Sequence, residues 1–132
     1  MDTRNQFITE FRGDTLGTVN AQSSADELFQ NQTLRPILKL QNDLFVEVFR
    51  NYIIKSKTDF FLFTVEKKLQ FIENSIQRDI KFRNSLKGMV IALFTIEEYL
   101  AYIQNSSSLN KRMMALLIER LKSQVLLFEL QL

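Results

Sequence analysis

The chain has no cysteine and no histidine. The first absence rules out disulfides and thiolate chemistry. The second removes the side chain that most often acts as a general base near neutral pH and is the commonest metal ligand. A metal site would have to be all-oxygen, and the sequence holds no acidic loop of the calcium-binding kind. We therefore expect neither a metal nor a cofactor. Tryptophan is absent, proline occurs once at Pro36, and the glycines are Gly13, Gly17 and Gly88 alone. A glycine-rich phosphate loop cannot form, because Lys87-Gly88 lacks the run of glycines such a loop needs ahead of its lysine. No apolar run approaches the about 20 residues that span a bilayer. Residues 1–6 are polar and do not resemble a secretory signal. The expectation is a cytoplasmic protein with no membrane span.

What is present suits one domain. The 132 residues are 45% hydrophobic, and a domain of this size buries roughly two-thirds of the surface its unfolded chain exposes. The net charge of +2 is unevenly spread. Residues 1–33 carry two basic and five acidic side chains, and residues 34–132 carry fifteen and ten. A mildly basic body follows a mildly acidic leader, short of a dedicated polyelectrolyte binder. Residues 1–22 are polar, hold two of the three glycines, and have only scattered apolar side chains. They are predicted to be a flexible tail, in which Phe7, Ile8 and Phe11 could form one amphipathic turn. Residues 23–132 are predicted to be the folded domain.

That domain reads as all-α, a bundle of five to six helices. Ser24 with Glu27, and Thr95 with Glu98, have the capping-box spacing that starts a helix. Thr33 is placed to cap a helix carrying Pro36 in its first turn. From there Ile37, Leu38, Gln41, Leu44, Phe45, Val48, Phe49, Tyr52 and Ile53 recur at helical spacing to about Lys55. The apolar knot Phe60-Phe61-Leu62-Phe63 has no partner strand, so it is assigned to a short helical turn plugging one end of the bundle. Thr64 caps the next helix, and Asp79 is either a further cap or a bend. Gly88 lies inside a helical pattern, which suggests a close helix crossing or a kink. Ile96, Tyr99, Leu100 and Ile103 form the apolar face of the following helix. One of Ser106, Ser107 and Ser108 caps the last helix, which runs to about Leu130.

Two features of this pattern point toward function. Met114, Ile118, Leu121, Val125, Phe128 and Leu132 form a heptad seam on the last helix, widened by Met113, Leu116, Leu117, Leu126, Leu127 and Leu130. A helix this apolar is either the centre of the bundle or part of an interface. The seam residues are the candidate interface for a second copy of the chain or for a helical protein partner. The second feature is basic. Arg78, Lys81, Arg83 and Lys87 crowd into ten residues, and Lys111 and Arg112 lie on the last helix. If the two helices lie side by side, these six form a candidate anion-binding surface for nucleic acid or another phosphate ligand. The competing expectation is a solvated face with salt bridges such as Asp79 to Arg83 and Glu119 to Lys122. Glu97 and Glu98 are adjacent and read as helix-start acids, and most of the twelve phenylalanines fall on core stripes.

The segments Asn31-Gln32-Thr33-Leu34-Arg35-Pro36-Ile37-Leu38-Lys39-Leu40-Gln41-Asn42, Asp79-Ile80-Lys81-Phe82-Arg83-Asn84, Tyr102-Ile103-Gln104-Asn105-Ser106-Ser107 and Asn110-Lys111-Arg112-Met113-Met114 carry a resemblance. Residues 29–125 resemble a family of short helical bacterial proteins sometimes labelled glyoxalase. Glyoxalase enzymes use metal sites with histidine ligands, and this chain has no histidine. The resemblance therefore implies a small helical domain and brings no catalytic residues. The leading functional expectation is a non-enzymatic interaction module or homo-oligomer. The alternative is a basic helical face for nucleic acid or a phosphate ligand, and a glyoxalase-type enzyme ranks last.

Overall fold

A computed structural model describes residues 2–13 and 24–129. Eight α-helices follow one another: α1 (Asp2–Arg12), α2 (Ala25–Phe29), α3 (Arg35–Leu40), α4 (Asn42–Ser56), α5 (Val65–Arg78), α6 (Ile80–Ile91), α7 (Ile96–Gln104) and α8 (Ser106–Ser123). A π-helical turn, Gln30–Leu34, joins α2 to α3, and 3-10 turns lie at Phe60–Leu62 and Val125–Leu127. No strand occurs among the described residues, so the fold is all-α, with more helices than the five or six expected.

Side-chain caps begin four of these helices, at positions the sequence marks. Ser24 Oγ accepts the Glu27 N–H at 3.1 Å and Thr64 Oγ1 the Lys67 N–H at 3.2 Å. Asp79 is a cap: its Oδ1 accepts the Phe82 N–H at 3.1 Å. Thr95 and Glu98 complete a reciprocal capping box, Thr95 Oγ1 accepting the Glu98 N–H at 3.2 Å and Glu98 Oε1 the Thr95 N–H at 2.8 Å. Each satisfies amide donors that a helix start leaves unpaired.

Other expectations are corrected. Thr33 caps nothing. The chain stays helical from Ala25 to Leu40 through the π turn, and Thr33 is buried there. The wider turn precedes Pro36, whose missing N–H removes the α-type donor to the Gln32 carbonyl. Arg12 Nη2 supplies one instead, at 3.0 Å. Gly88 makes no close crossing, since a Cβ there would meet nothing within 4 Å. No serine caps α8, which begins after Asn105 without a side-chain cap. Nor does α8 reach residue 130. It stops at Ser123, where the Gln124 amide exchanges two hydrogen bonds with the Asn42 amide at 2.7 and 2.8 Å.

The leader is also corrected in part. Residues 2–12 form α1, which is docked on the domain. Ile8 is buried, and Arg4 donates to the carbonyls of Phe94 at 2.7 Å and Ala92 at 3.0 Å. Ala92 is the C-cap of α6, where a helix lacks donors and favours positive charge, and Phe94 lies just beyond it, ahead of the Thr95 cap. The flexible-tail expectation for residues 14–22 lies outside the described residues.

One core holds the helices together. Leu109, Met113, Leu117 and Leu121 of α8 are buried in it with Phe45, Phe49 and Ile53 of α4 and Ile72 and Ile76 of α5. Phe49 is its aromatic centre, with ring centroids 5.3 Å from Phe128, 6.0 Å from Phe82 and 6.2 Å from Phe71. Phe60, in its 3-10 turn, plugs the edge of this cluster 5.3 Å from Phe71. The heptad seam belongs here too. Met114, Ile118, Leu121, Val125 and Phe128 are all buried within the single chain and are not a free face. Leu132 lies outside the described residues. The seam is over-apolar because α8 is covered on several sides by its own chain.

Candidate anion-binding groove

α5, α6 and α8 lie against one another, and a groove of about 440 Å³ opens between them. Arg83 and Lys87 stand one turn apart on α6 and form one wall. Lys111 stands on α8 opposite, with Ser107 and Asn110 of the same helix, and Gln77 of α5 closes one end. Met114, Ala115 and Ile118 make the floor. The residues that α8 contributes repeat at three- and four-residue steps, so they share one face of it. The lining contains no aspartate or glutamate.

Two hydrogen bonds set the groove's polarity. Arg83 Nη1 donates to the Gln77 carbonyl at 3.0 Å, near the end of α5, which anchors the guanidinium on the groove wall. Tyr102 Oη donates to Asn110 Oδ1 at 2.5 Å. Burial raises the Tyr102 phenol above its ordinary value of 10.0. The hydroxyl therefore stays protonated at neutral pH and holds the Asn110 amide with its acceptor side occupied. The Nδ2 donors of Asn110 are left for a ligand. Three cations and a set of neutral donors thus face one concave space.

Of the six basic residues proposed from sequence, the groove gathers Arg83, Lys87 and Lys111. The others lie elsewhere. Arg112 donates to Gln30 Oε1 at 3.0 Å and lies 3.9 Å from Asp26, tying α8 to α2. Lys81 lines a separate depression with Tyr52 and Asp79, and Arg78 is exposed at the end of α5. The salt bridges expected from sequence are not the ones formed. Asp79 accepts from Tyr52 Oη at 2.8 Å, and Lys122 pairs with Glu73 at 3.3 Å. Gln77, Ser107, Asn110 and Ala115 were missed by sequence reasoning. Met114 and Ile118, candidates for the interface, are largely buried and line the groove. The available signal was the Ser107, Lys111, Ala115, Ile118 spacing, which marks a single face of the last helix.

The described residues contain no group of three or more acidic side chains able to hold a metal. No helix among them is long and apolar enough to cross a membrane. The fold and the groove define a small all-α protein with a basic concavity. Comparison with family models, curated proteins and solved structures finds no match to this chain.

Proposed function

We propose that this protein is a cytoplasmic binding module that holds a phosphate-bearing ligand in the groove between α6 and α8. The observation that carries the reading is the convergence of Arg83, Lys87 and Lys111 from two helices on a concavity without a carboxylate. Cations on opposing walls keep their charge fields additive where a ligand sits, and a concave low-dielectric wall weakens screening. Calorimetric titration with pyrophosphate at low salt tests it. Binding is expected to weaken as salt rises. It should fall by about tenfold to a hundredfold in Lys87→Glu and in Lys111→Glu, from the about 1.5–3 kcal/mol of a charged hydrogen bond. Neither side chain is buried, so both variants should keep the wild-type melting curve. Equal binding by wild type and both variants would rule out the groove.

A second reading, a helical protein partner or a second copy of this chain, rests on a different element. α7 turns Tyr99, Leu100 and Ile103 outward, 45%, 54% and 46% exposed, and buries only Tyr102. An apolar stripe repeating at three and four residues is the face a helix offers to another helix. The self-association expected from the last helix moves, in this reading, to α7. Sedimentation should show a concentration-dependent dimer that Leu100→Glu with Ile103→Glu dissolves. A wild-type chain that stays monomeric at high concentration removes self-association.

A further inference from the structure

We propose that the occupant of the basic groove is a nucleoside monophosphate, a ligand carrying one phosphate ester on a flat, apolar-faced ring; this rests on the phosphate reading above. The groove joins two unlike surfaces. Its walls carry Arg83, Lys87 and Lys111, and its floor is Met114, Ala115 and Ile118. An inorganic anion would satisfy the walls and leave uncovered the exposed Ala115 and the small solvent-facing edges of the otherwise buried Met114 and Ile118. A sugar phosphate would press hydroxyls onto that floor, where they lose water without gaining a partner. A nucleobase covers it with an apolar face, and a methionine thioether makes favourable contact with an aromatic ring.

The polar lining fits the edge of such a ring. The Asn110 amide is oriented by Tyr102 Oη at 2.5 Å so that its N–H donors remain, and the ring nitrogens and carbonyls of a base are acceptors. Gln77 and Ser107 line the same groove. A volume of about 440 Å³ falls within the range of pockets that enclose small molecules.

The surroundings argue against a polymer. On α8 the basic side chains beyond the groove are already engaged. Arg112 is held by Gln30 and Asp26, Lys122 by Glu73, and Arg120 by Asn42 at 3.4 Å. A nucleic acid needs a run of cations along its backbone, and the α8 cations that would extend the groove are held in ties to other side chains.

The test is calorimetry on the full chain at low salt with adenosine monophosphate, adenosine, inorganic phosphate and a single-stranded DNA twelve-mer. Adenosine monophosphate is expected to bind at least tenfold more tightly than either phosphate or adenosine. Ala115→Glu, an exposed substitution that fills the floor with a carboxylate, should abolish that binding without shifting the melting curve. Phosphate binding as tightly as the nucleotide overturns the nucleotide inference and leaves the phosphate reading standing. So does a twelve-mer that binds far more tightly and is not displaced by the nucleotide. No binding of nucleotide or phosphate, or nucleotide binding untouched by both Ala115→Glu and Lys87→Glu, overturns both.

Discussion

Truncation of Phe128 to alanine should lower the free energy of unfolding by about 3–5 kcal/mol, the cost of removing a fully buried phenylalanine and leaving a cavity. Phe128 is 0% exposed although it lies beyond the end of α8. The 3-10 turn Val125–Leu127 swings it back against Phe49 and Phe60, with centroids 5.3 and 6.5 Å away. Against a typical total of about 5–15 kcal/mol this is a large fraction of the stability. Urea denaturation measures it, and the neighbouring Leu127→Ala provides the control, since Leu127 is half exposed and should change stability by less than about 1 kcal/mol. If the seam were an interface between copies, Phe128→Ala would change the sedimentation of the protein and hardly its denaturation midpoint. The expected result is the reverse.

Glu98→Ala should cost about 3 kcal/mol, because it strips the partner from a buried arginine. The Arg12 side chain is 8% exposed and that of Glu98 19%. Glu98 accepts from both terminal nitrogens of the Arg12 guanidinium, from Thr33 Oγ1 at 2.5 Å and from the Thr95 N–H at 2.8 Å. One carboxylate therefore ties α1, the π turn and α7 together. Thr95→Ala removes only the cap and should cost about 1 kcal/mol. Equal losses in the two variants would show that Arg12 contributes nothing through Glu98.

The same cluster predicts a pH dependence. Burial pushes the Glu98 carboxyl up, but the bonds from Arg12, Thr33 and Thr95 outweigh it and hold the group below its ordinary value of 4.5. A carboxyl lowered in the folded state adds stability that is fully present above the unfolded value and is lost as pH falls through the folded one. The stability gap between wild type and Glu98→Gln should therefore be constant near neutrality and shrink once pH drops below about 4.5. A gap that widens in acid would contradict the assignment.

The sequence was most informative where one residue type does a local job. The caps Ser24, Thr64, Asp79 and Thr95 were readable because a helix start needs an oxygen at one defined position. The Phe60 plug was readable from its density of rings. The basic site was half readable. Arg83 and Lys87 share a face by spacing alone, and Lys111 was named. Arg112, one residue further on, points to α2 and serves a structural bond. A difference of about 100° around a helix separates a ligand-facing side chain from a tie between helices, and only the position of the neighbouring helices reveals which is which.

Two features escaped for the same reason. α1 looked like a loose leader because its own sequence buries little, and its docking rests on groups far along the chain: the carbonyls at and just beyond the end of α6 and the carboxylates of Glu97 and Glu98. The seam on α8 looked like an interface because apolar excess states only that a surface must be covered. By itself the sequence determined the fold class, four of the helix starts and the exclusion of thiol and imidazole chemistry, since these follow from residue types and short-range spacing. The tertiary structure decided that the seam is core, that α7 faces outward, and that three of six basic residues meet in one groove. Those outcomes depend on which distant segments lie side by side, and periodicity carries no information about that.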